Sequence, residues 1–298
     1  MDRAPAKVQP YMRLMRLDRP IGTWLLYWPC VFGLILGAVA DSRPFGTWHD
    51  WGLEVLLGIG AIVMRGAGCT YNDIVDRDYD AKVARTRGRP IPSGAVSVRQ
   101  AWMFTAALCL VGLAILLLLN RFAIALGAGS LLLVAGYPFM KRITWWPQIV
   151  LGLAFSWGAL MGFAVTLGRI DAAALALYAG SIAWVIGYDT IYAHKDAEDD
   201  ALIGIKSTAR LFGARTHRAL VIFYGLAVVL IGAAFALAGA GVAAWIGLAA
   251  FAAHLVWQIG RLEIGDPALC LRIFKSNRDA GLLLFVGLLA DAVMRAAV

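Results

Sequence analysis

Apolar residues run along this chain in blocks, split by short polar breaks and by four longer polar stretches. A block of about twenty residues is long enough to cross a bilayer as a helix. The pattern predicts nine membrane helices, at 21–40, 53–72, 100–119, 121–138, 148–168, 171–190, 219–238, 242–260 and 280–297. Breaks such as Asn120-Arg121 and Gly239-Ala240-Gly241 are so short that the flanking helices must form hairpins. The longer connections are 73–99, 139–147, 191–218 and 261–279. A soluble α/β fold would need short apolar runs bounded by turns, and these runs are too long for it. The expected fold class is therefore all-α: a polytopic membrane helical bundle of about nine transmembrane helices, forming a single domain over 1–298. Residues 1–20 are basic and mildly amphipathic, which predicts an interfacial N-terminal segment rather than a cleavable signal.

Composition agrees with a lipid environment. Of 298 residues, 61% are hydrophobic and 15% charged, against about a quarter charged in a soluble domain. Lys and Arg are unevenly placed. The N-terminal segment and the four long connections hold 22 of them, and the other side holds Arg43, Arg121, Arg169 and Arg295. This bias predicts an odd number of spans with all the long connections on the N-terminal, cytoplasmic side. The net charge of +8 then reflects topology, and no nucleic acid partner is expected. Cys30, Cys69, Cys109 and Cys270 form no CxxC pair, and the four histidines are scattered. Neither a disulfide framework nor a zinc site is expected.

The polar residues concentrate in two places. Asn72-Asp73-Ile74-Val75-Asp76-Arg77-Asp78-Tyr79-Asp80 carries four carboxylates and an amide. Asn72, Asp76 and Asp80 recur every four residues, so on a helix they share one face. Like charges at that spacing repel, so something positive should sit among them. A second cluster, Asp196-Ala197-Glu198-Asp199-Asp200, repeats the four-residue spacing at Asp196 and Asp200. Each cluster follows the second helix of a four-helix half and precedes a basic stretch, so the chain reads as two pseudo-repeated halves built to bring the clusters together. Solvated helix ends would be the bland explanation, but the matched positions argue for more. Oxygen ligands without His or Cys suit a hard cation, and Mg²⁺ commonly joins one or two carboxylates to substrate phosphates. Arg77, Arg85, Arg87, Arg89, Lys141, Arg142, Lys195 and Lys206 are placed to hold other phosphate oxygens. In a lipid-embedded protein, this predicts a lipid diphosphate substrate.

On these residues the chain resembles the UbiA superfamily of intramembrane prenyltransferases. The first aspartate motif of that superfamily, NDxxDxxxD, matches Asn72, Asp73, Asp76 and Asp80, and its second, DxxxD, matches Asp196 and Asp200. Within it, the bacterial 4-hydroxybenzoate branch is the nearest likeness. The matching stretches are Arg16 to Leu26, Met64 to Cys69, Tyr137 to Arg142, Tyr188-Asp189-Thr190 and Gly204 to Thr208. The resemblance implies Mg²⁺-dependent transfer of a polyprenyl chain from polyprenyl diphosphate to the ring of 4-hydroxybenzoate, in ubiquinone biosynthesis. It implies catalytic roles for Asn72, Asp73, Asp76, Asp80, Asp196 and Asp200, all but Asp73 as metal ligands. It also implies a multi-pass protein of the bacterial cell inner membrane with its active site toward the cytoplasm.

Several residues carry two readings. Tyr71, Tyr137, Tyr188 and Tyr192 lie near helix ends, as cation-stabilising faces or as interfacial anchors. Asp189 is a base for the ring proton or a solvated helix-end charge. Arg65, the one cation placed within a span, holds the acceptor's carboxylate or serves as partner to a carboxylate or helix end. Other acceptors (homogentisate, a naphthoate, haem, a lipid alcohol) are the alternative within enzymes. A secondary transporter is the alternative outside them, although its ionisable groups would sit nearer the midplane.

Overall fold

The structure is a computed structural model that describes residues 4–84, 86–202 and 204–295, without the side chain of Asp199. Arg3, Arg85, the Asp199 side chain and the predicted end of the last helix at 297 lie outside the described residues. Twelve α-helices are present among them: α1 (Gln9–Leu14), α2 (Ile21–Ala40), α3 (Trp48–Asp80), α4 (Val98–Leu116), α5 (Arg121–Ile143), α6 (Pro147–Leu167), α7 (Ala172–His194), α8 (Ala197–Leu202), α9 (Thr208–Phe212), α10 (Thr216–Ala238), α11 (Val242–Arg261) and α12 (Pro267–Met294). Eight of the described helices are long and apolar enough to cross a membrane. The predicted ninth span falls in α12, where Arg278, Asp279 and Asp291 interrupt the apolar run. The all-α helical bundle follows the hydrophobic pattern. The largest departure is α3, whose 33 residues carry the helix through the acidic motif instead of ending before it.

The chain divides into two compact units. The first comprises Met1–Trp24 and Gly58–Leu119. Its core joins Leu14, Ile74, Ile91, Val96 and Ala101, with Tyr11 and Phe104 packed against them. The predicted interfacial segment is helical only over α1, because Arg16 turns the chain with a left-handed φ of 57°. α4 starts at a reciprocal capping box between Ser97 and Gln100, which satisfies two backbone N–H groups that a helix start would otherwise leave unpaired.

The second unit comprises Leu25–Leu57 and Asn120–Val298. Its centre is α7, which packs against α6, α10 and α12. Small residues set the closest crossings. A Cβ on Gly33 of α2 would lie 2.1 Å from the Ala159 carbonyl oxygen of α6, so a larger residue would force the two helices apart. Close backbone approach of this kind replaces the hydrophobic drive that lipid cannot provide. Asp171 begins α7 by accepting the N–H groups of Ala173 and Ala174 at 2.9 and 3.2 Å. The other end of α7 carries Tyr188, Asp189 and Tyr192 toward the second acidic cluster.

Candidate active site

In the first unit the acidic motif occupies the last turns of α3. Asp73 and Asp76 are almost wholly buried and Asp80 is 8% exposed, a placement that carboxylates tolerate only when paired. Arg16 supplies one partner. Its Nη2 donates to both oxygens of Asp73, at 2.6 and 2.8 Å. Arg89 bridges the cluster, donating to Asp73 Oδ1 at 3.1 Å and Asp80 Oδ2 at 2.7 Å. Asn72 Nδ2 donates to Asp76 Oδ2 at 3.1 Å, the i, i+4 contact that the spacing predicts. Burial works against the Arg16 charge, but the Asp73 carboxylate outweighs it and lifts the guanidinium pKa above its ordinary value. The positive charge expected among the acids is therefore present, and two arginines provide it.

Arg65 lies two turns earlier on α3. Its guanidinium donates to the carbonyls of Met15, Arg16 and Arg19 and to Thr23 Oγ1, at 3.0–3.3 Å. These are the carbonyls of the turn that follows α1, so the structure gives Arg65 the helix-end role. Holding that turn also holds Arg16, and through it Asp73.

In the second unit the acids are arranged differently. α7 ends at His194, and Asp196 and Asp200 are joined by a backbone bond from Asp200 N–H to the Asp196 carbonyl at 2.9 Å. Lys195 Nζ lies 3.3 Å from Asp196 Oδ1 and 5.6 Å from the centre of the Tyr192 ring. Lys206 is tied back to the end of α5: its N–H donates to the Lys141 carbonyl at 3.0 Å and its Nζ to the Ile143 carbonyl at 3.1 Å. Arg142 packs over Phe139. Tyr188 is buried between Trp184 and Phe274, with centroids at 5.5 and 5.8 Å, and its hydroxyl has no hydrogen-bond partner among the described residues. Tyr192 packs in a tilted arrangement against the same Phe274, with centroids 4.6 Å apart. His194, which its polar neighbours would place toward solvent, hydrogen-bonds Thr216 Oγ1 at 2.8 Å.

Two participants carry no site role in the sequence pattern. Arg16 counts toward topology and falls in a family stretch, but nothing local links it to Asp73, 57 residues away. Gln148 stands only as the first residue of a predicted span. Its side chain is buried and accepts the Thr208 N–H at 3.1 Å. The one available signal is a long amide in the first turn of an otherwise apolar helix.

Among the described residues no three His, Cys, Asp or Glu side chains converge closely enough to hold a metal unaided. The donor set nevertheless fits Mg²⁺, which takes one or two carboxylates and completes its shell with water and phosphate oxygens. Asn72 with Asp76, Asp80, and the pair Asp196 and Asp200 offer oxygen donors only.

A helical bundle rich in membrane-crossing helices, with two Asp-rich motifs beside basic side chains, defines an intramembrane transferase of phosphorylated lipids. The chain belongs to the UbiA prenyltransferase family, which matches residues 26–287. A relative in Bos taurus, "4-hydroxybenzoate polyprenyltransferase, mitochondrial", is 48% identical over 98% of this chain and 78% of its own length. Its counterpart in Mus musculus is 50% identical over 96% of this chain and 75% of its own length. The apo structure of a UbiA homolog from Aeropyrum pernix K1 superposes with a TM-score of 0.75 at 26% identity, over 89% of this chain and 97% of that one. These animal relatives are mitochondrial proteins, which overturns the expectation of a bacterial cell inner membrane. Lys and Arg bias reports which loops share a side, and carries no information on which membrane is crossed.

Proposed function

We propose that this chain transfers a polyprenyl group from polyprenyl diphosphate to the aromatic ring of 4-hydroxybenzoate, with Mg²⁺, in ubiquinone biosynthesis. The observation that carries this reading is the 48% identity to a 4-hydroxybenzoate polyprenyltransferase sustained over 98% of the chain. Residues 1–298 act as one prenyltransferase domain. Its membrane-crossing helices suit a donor whose tail dissolves in lipid.

Asn72, Asp76 and Asp80 of the first cluster, and Asp196 and Asp200 of the second, are assigned to Mg²⁺. Bound there, the ion supplies Lewis-acid stabilisation of the negative charge that builds on the departing diphosphate. Asp73 acts differently. Engaged by Arg16 and Arg89, it holds the end of α3 and the following loop in place. Lys141, Arg142, Lys195 and Lys206 are assigned to the phosphate oxygens, where ammonium and guanidinium groups form charge-assisted hydrogen bonds. Tyr192 presents an aromatic face, which favours the allylic cation left when the C–O bond breaks, and the enclosed Tyr188 packs against the same Phe274 behind it. Arg65 is assigned to the acceptor side of the site through its hold on the turn at Met15–Arg19. Surrounding apolar helices keep out water, which would otherwise trap the cation as an alcohol.

Membranes containing the protein, given polyprenyl diphosphate, Mg²⁺ and one acceptor at a time, test this reading. Prenylated 4-hydroxybenzoate is expected, and EDTA should abolish it. Product formed only from homogentisate, a naphthoate or another acceptor would move the protein to a different reaction. Product undiminished by EDTA would remove the metal from the mechanism.

A further inference from the structure

Arg16 and Arg89 both serve the first acidic cluster, but they are held differently. Arg16 gives Nη2 to both oxygens of Asp73 and Nη1 to the Arg13 carbonyl at 2.9 Å. Its own carbonyl accepts from Arg65 at 3.1 Å, so side chain and backbone are both fixed. Arg89 comes from the loop between α3 and α4. Among the described residues its two side-chain hydrogen bonds both leave from Nη1, to Asp73 Oδ1 at 3.1 Å and to Asp80 Oδ2 at 2.7 Å. A guanidinium carries five N–H groups, so those on Nε and Nη2 remain for an oxyanion. A quarter of the Arg89 side chain is open to solvent (25% exposed).

The two carboxylates differ in a matching way. Asp73 would keep Arg16 if Arg89 moved off. Asp80 would not: among the described residues Arg89 is the cation at its side chain, which is only 11% exposed. A carboxylate so enclosed is costly to leave without a counter-charge. Asp80 is also assigned to Mg²⁺. A metal ion brought to that carboxylate meets the guanidinium at close range, where like charges repel strongly in a poorly hydrated site. One cation must therefore give way to the other.

We infer that Arg89 is an exchangeable counter-ion for Asp80: without donor it holds the carboxylate against Mg²⁺, and the arriving diphosphate draws the guanidinium away, so that metal and donor bind as a pair. The inference rests on the proposed transferase function and its assignment of Asp80 to Mg²⁺. No covalent bond changes in the exchange. The guanidinium stays protonated and trades a carboxylate for a phosphate, both of which suit its planar fork. By linkage, metal and donor then strengthen each other's binding by the same factor.

The test measures metal binding to the full chain in detergent, without acceptor and without turnover. Mn²⁺ stands in for Mg²⁺, since both favour oxygen ligands, and free Mn²⁺ is read by electron paramagnetic resonance. The donor is represented by a prenyl thiolodiphosphate, whose bridging sulfur resists ionisation. In the unaltered protein Mn²⁺ alone should bind weakly, and the analogue should tighten it by roughly 10–100-fold, within the usual span of coupling between sites. Arg89→Met should bind Mn²⁺ alone roughly 10-fold more tightly than the unaltered protein, with a smaller gain from the analogue. Mg²⁺ alone should also raise its thermal midpoint further than that of the unaltered protein. Arg89→Lys, a point charge on a flexible stem, should fall between the two, and it decides the matter if Arg89→Met does not fold. Lys82→Met removes an exposed cation of the same loop that lies over the Tyr79 ring, and should leave Mn²⁺ binding unchanged. Weaker or unchanged Mn²⁺ binding in the Arg89 variants would overturn the inference, because Arg89 would then orient Asp80 toward the metal. An equal gain in Lys82→Met would overturn it too, by reducing the effect to net charge. Failure of the unaltered protein to bind Mn²⁺ even with the analogue would instead overturn the metal assignment in the proposed function.

Discussion

In the first acidic cluster Asp73, Asp76 and Asp80 sit on one continuous helix and are nearly excluded from solvent, and Asp73 and Asp80 are held by arginines from two other segments. In the second, the same four-residue spacing straddles the junction of α7 and α8, and the carboxylate of Asp196 meets a lysine one residue away. Spacing alone does not separate these cases. The difference lies in what each cluster does for its own unit. The first is part of the frame, since Asp73 joins the turn after α1, the end of α3 and the loop before α4. In the second, backbone bonds such as Ile205 N–H to the Asp200 carbonyl at 2.9 Å join the segment that follows α8 to the cluster.

The contrast can be broken or sharpened by three substitutions, taken in order of their expected effect on stability. Asp73→Ala removes the acceptor shared by Arg16 and Arg89, and stranding buried charge of this kind costs about 3–5 kcal/mol. A large drop in the thermal midpoint of the detergent-solubilised protein is expected; an unchanged midpoint would mean that the arginines are not framing the unit. Arg65→Ala removes three hydrogen bonds from the turn at Met15–Arg19 and one from Thr23, and a loss of about 2–3 kcal/mol is expected, the scale of hydrogen bonds to a charged group. Its kinetic signature is equally informative. KM for donor and acceptor should rise together if Arg65 acts by holding the turn, whereas a rise confined to the acceptor would restore a direct contact with the acceptor's carboxylate. Asp196→Asn should cost less stability than Asp73→Ala, because the amide keeps an oxygen acceptor for Lys195. Activity should nevertheless fall steeply, and the Mg²⁺ concentration needed for half-maximal rate should rise. A stability loss as large as that of Asp73→Ala would erase the distinction between the clusters.

Much of this protein is legible along the chain because lipid imposes simple rules. A segment in hydrocarbon must satisfy its own backbone, so helices follow apolar length closely. The apolar pattern places a helix at 21–40, and α2 runs from Ile21 to Ala40. The acidic end of α3 shows where that reading stops. Hydropathy ends the span near Asn72, yet the helix continues to Asp80, because Arg16 and Arg89 neutralise acids that would otherwise oppose it. Gln148 escapes the pattern for a related reason: its partner, Thr208, is distant in sequence, and an amide carries no charge for a pattern to register.

By itself, the sequence determined the rough limits of the long helices and the residue types gathered at each acidic motif. Each of these depends on neighbours within a few turns, or on the difference between oil and water. Tertiary structure decided which carboxylates frame a unit, which arginines compensate them, and which backbone N–H the buried Gln148 amide accepts. Those pairings join segments up to 60 residues apart, as between Gln148 and Thr208. Whether a buried charge or amide is satisfied depends on the packing that brings its partner within hydrogen-bond reach.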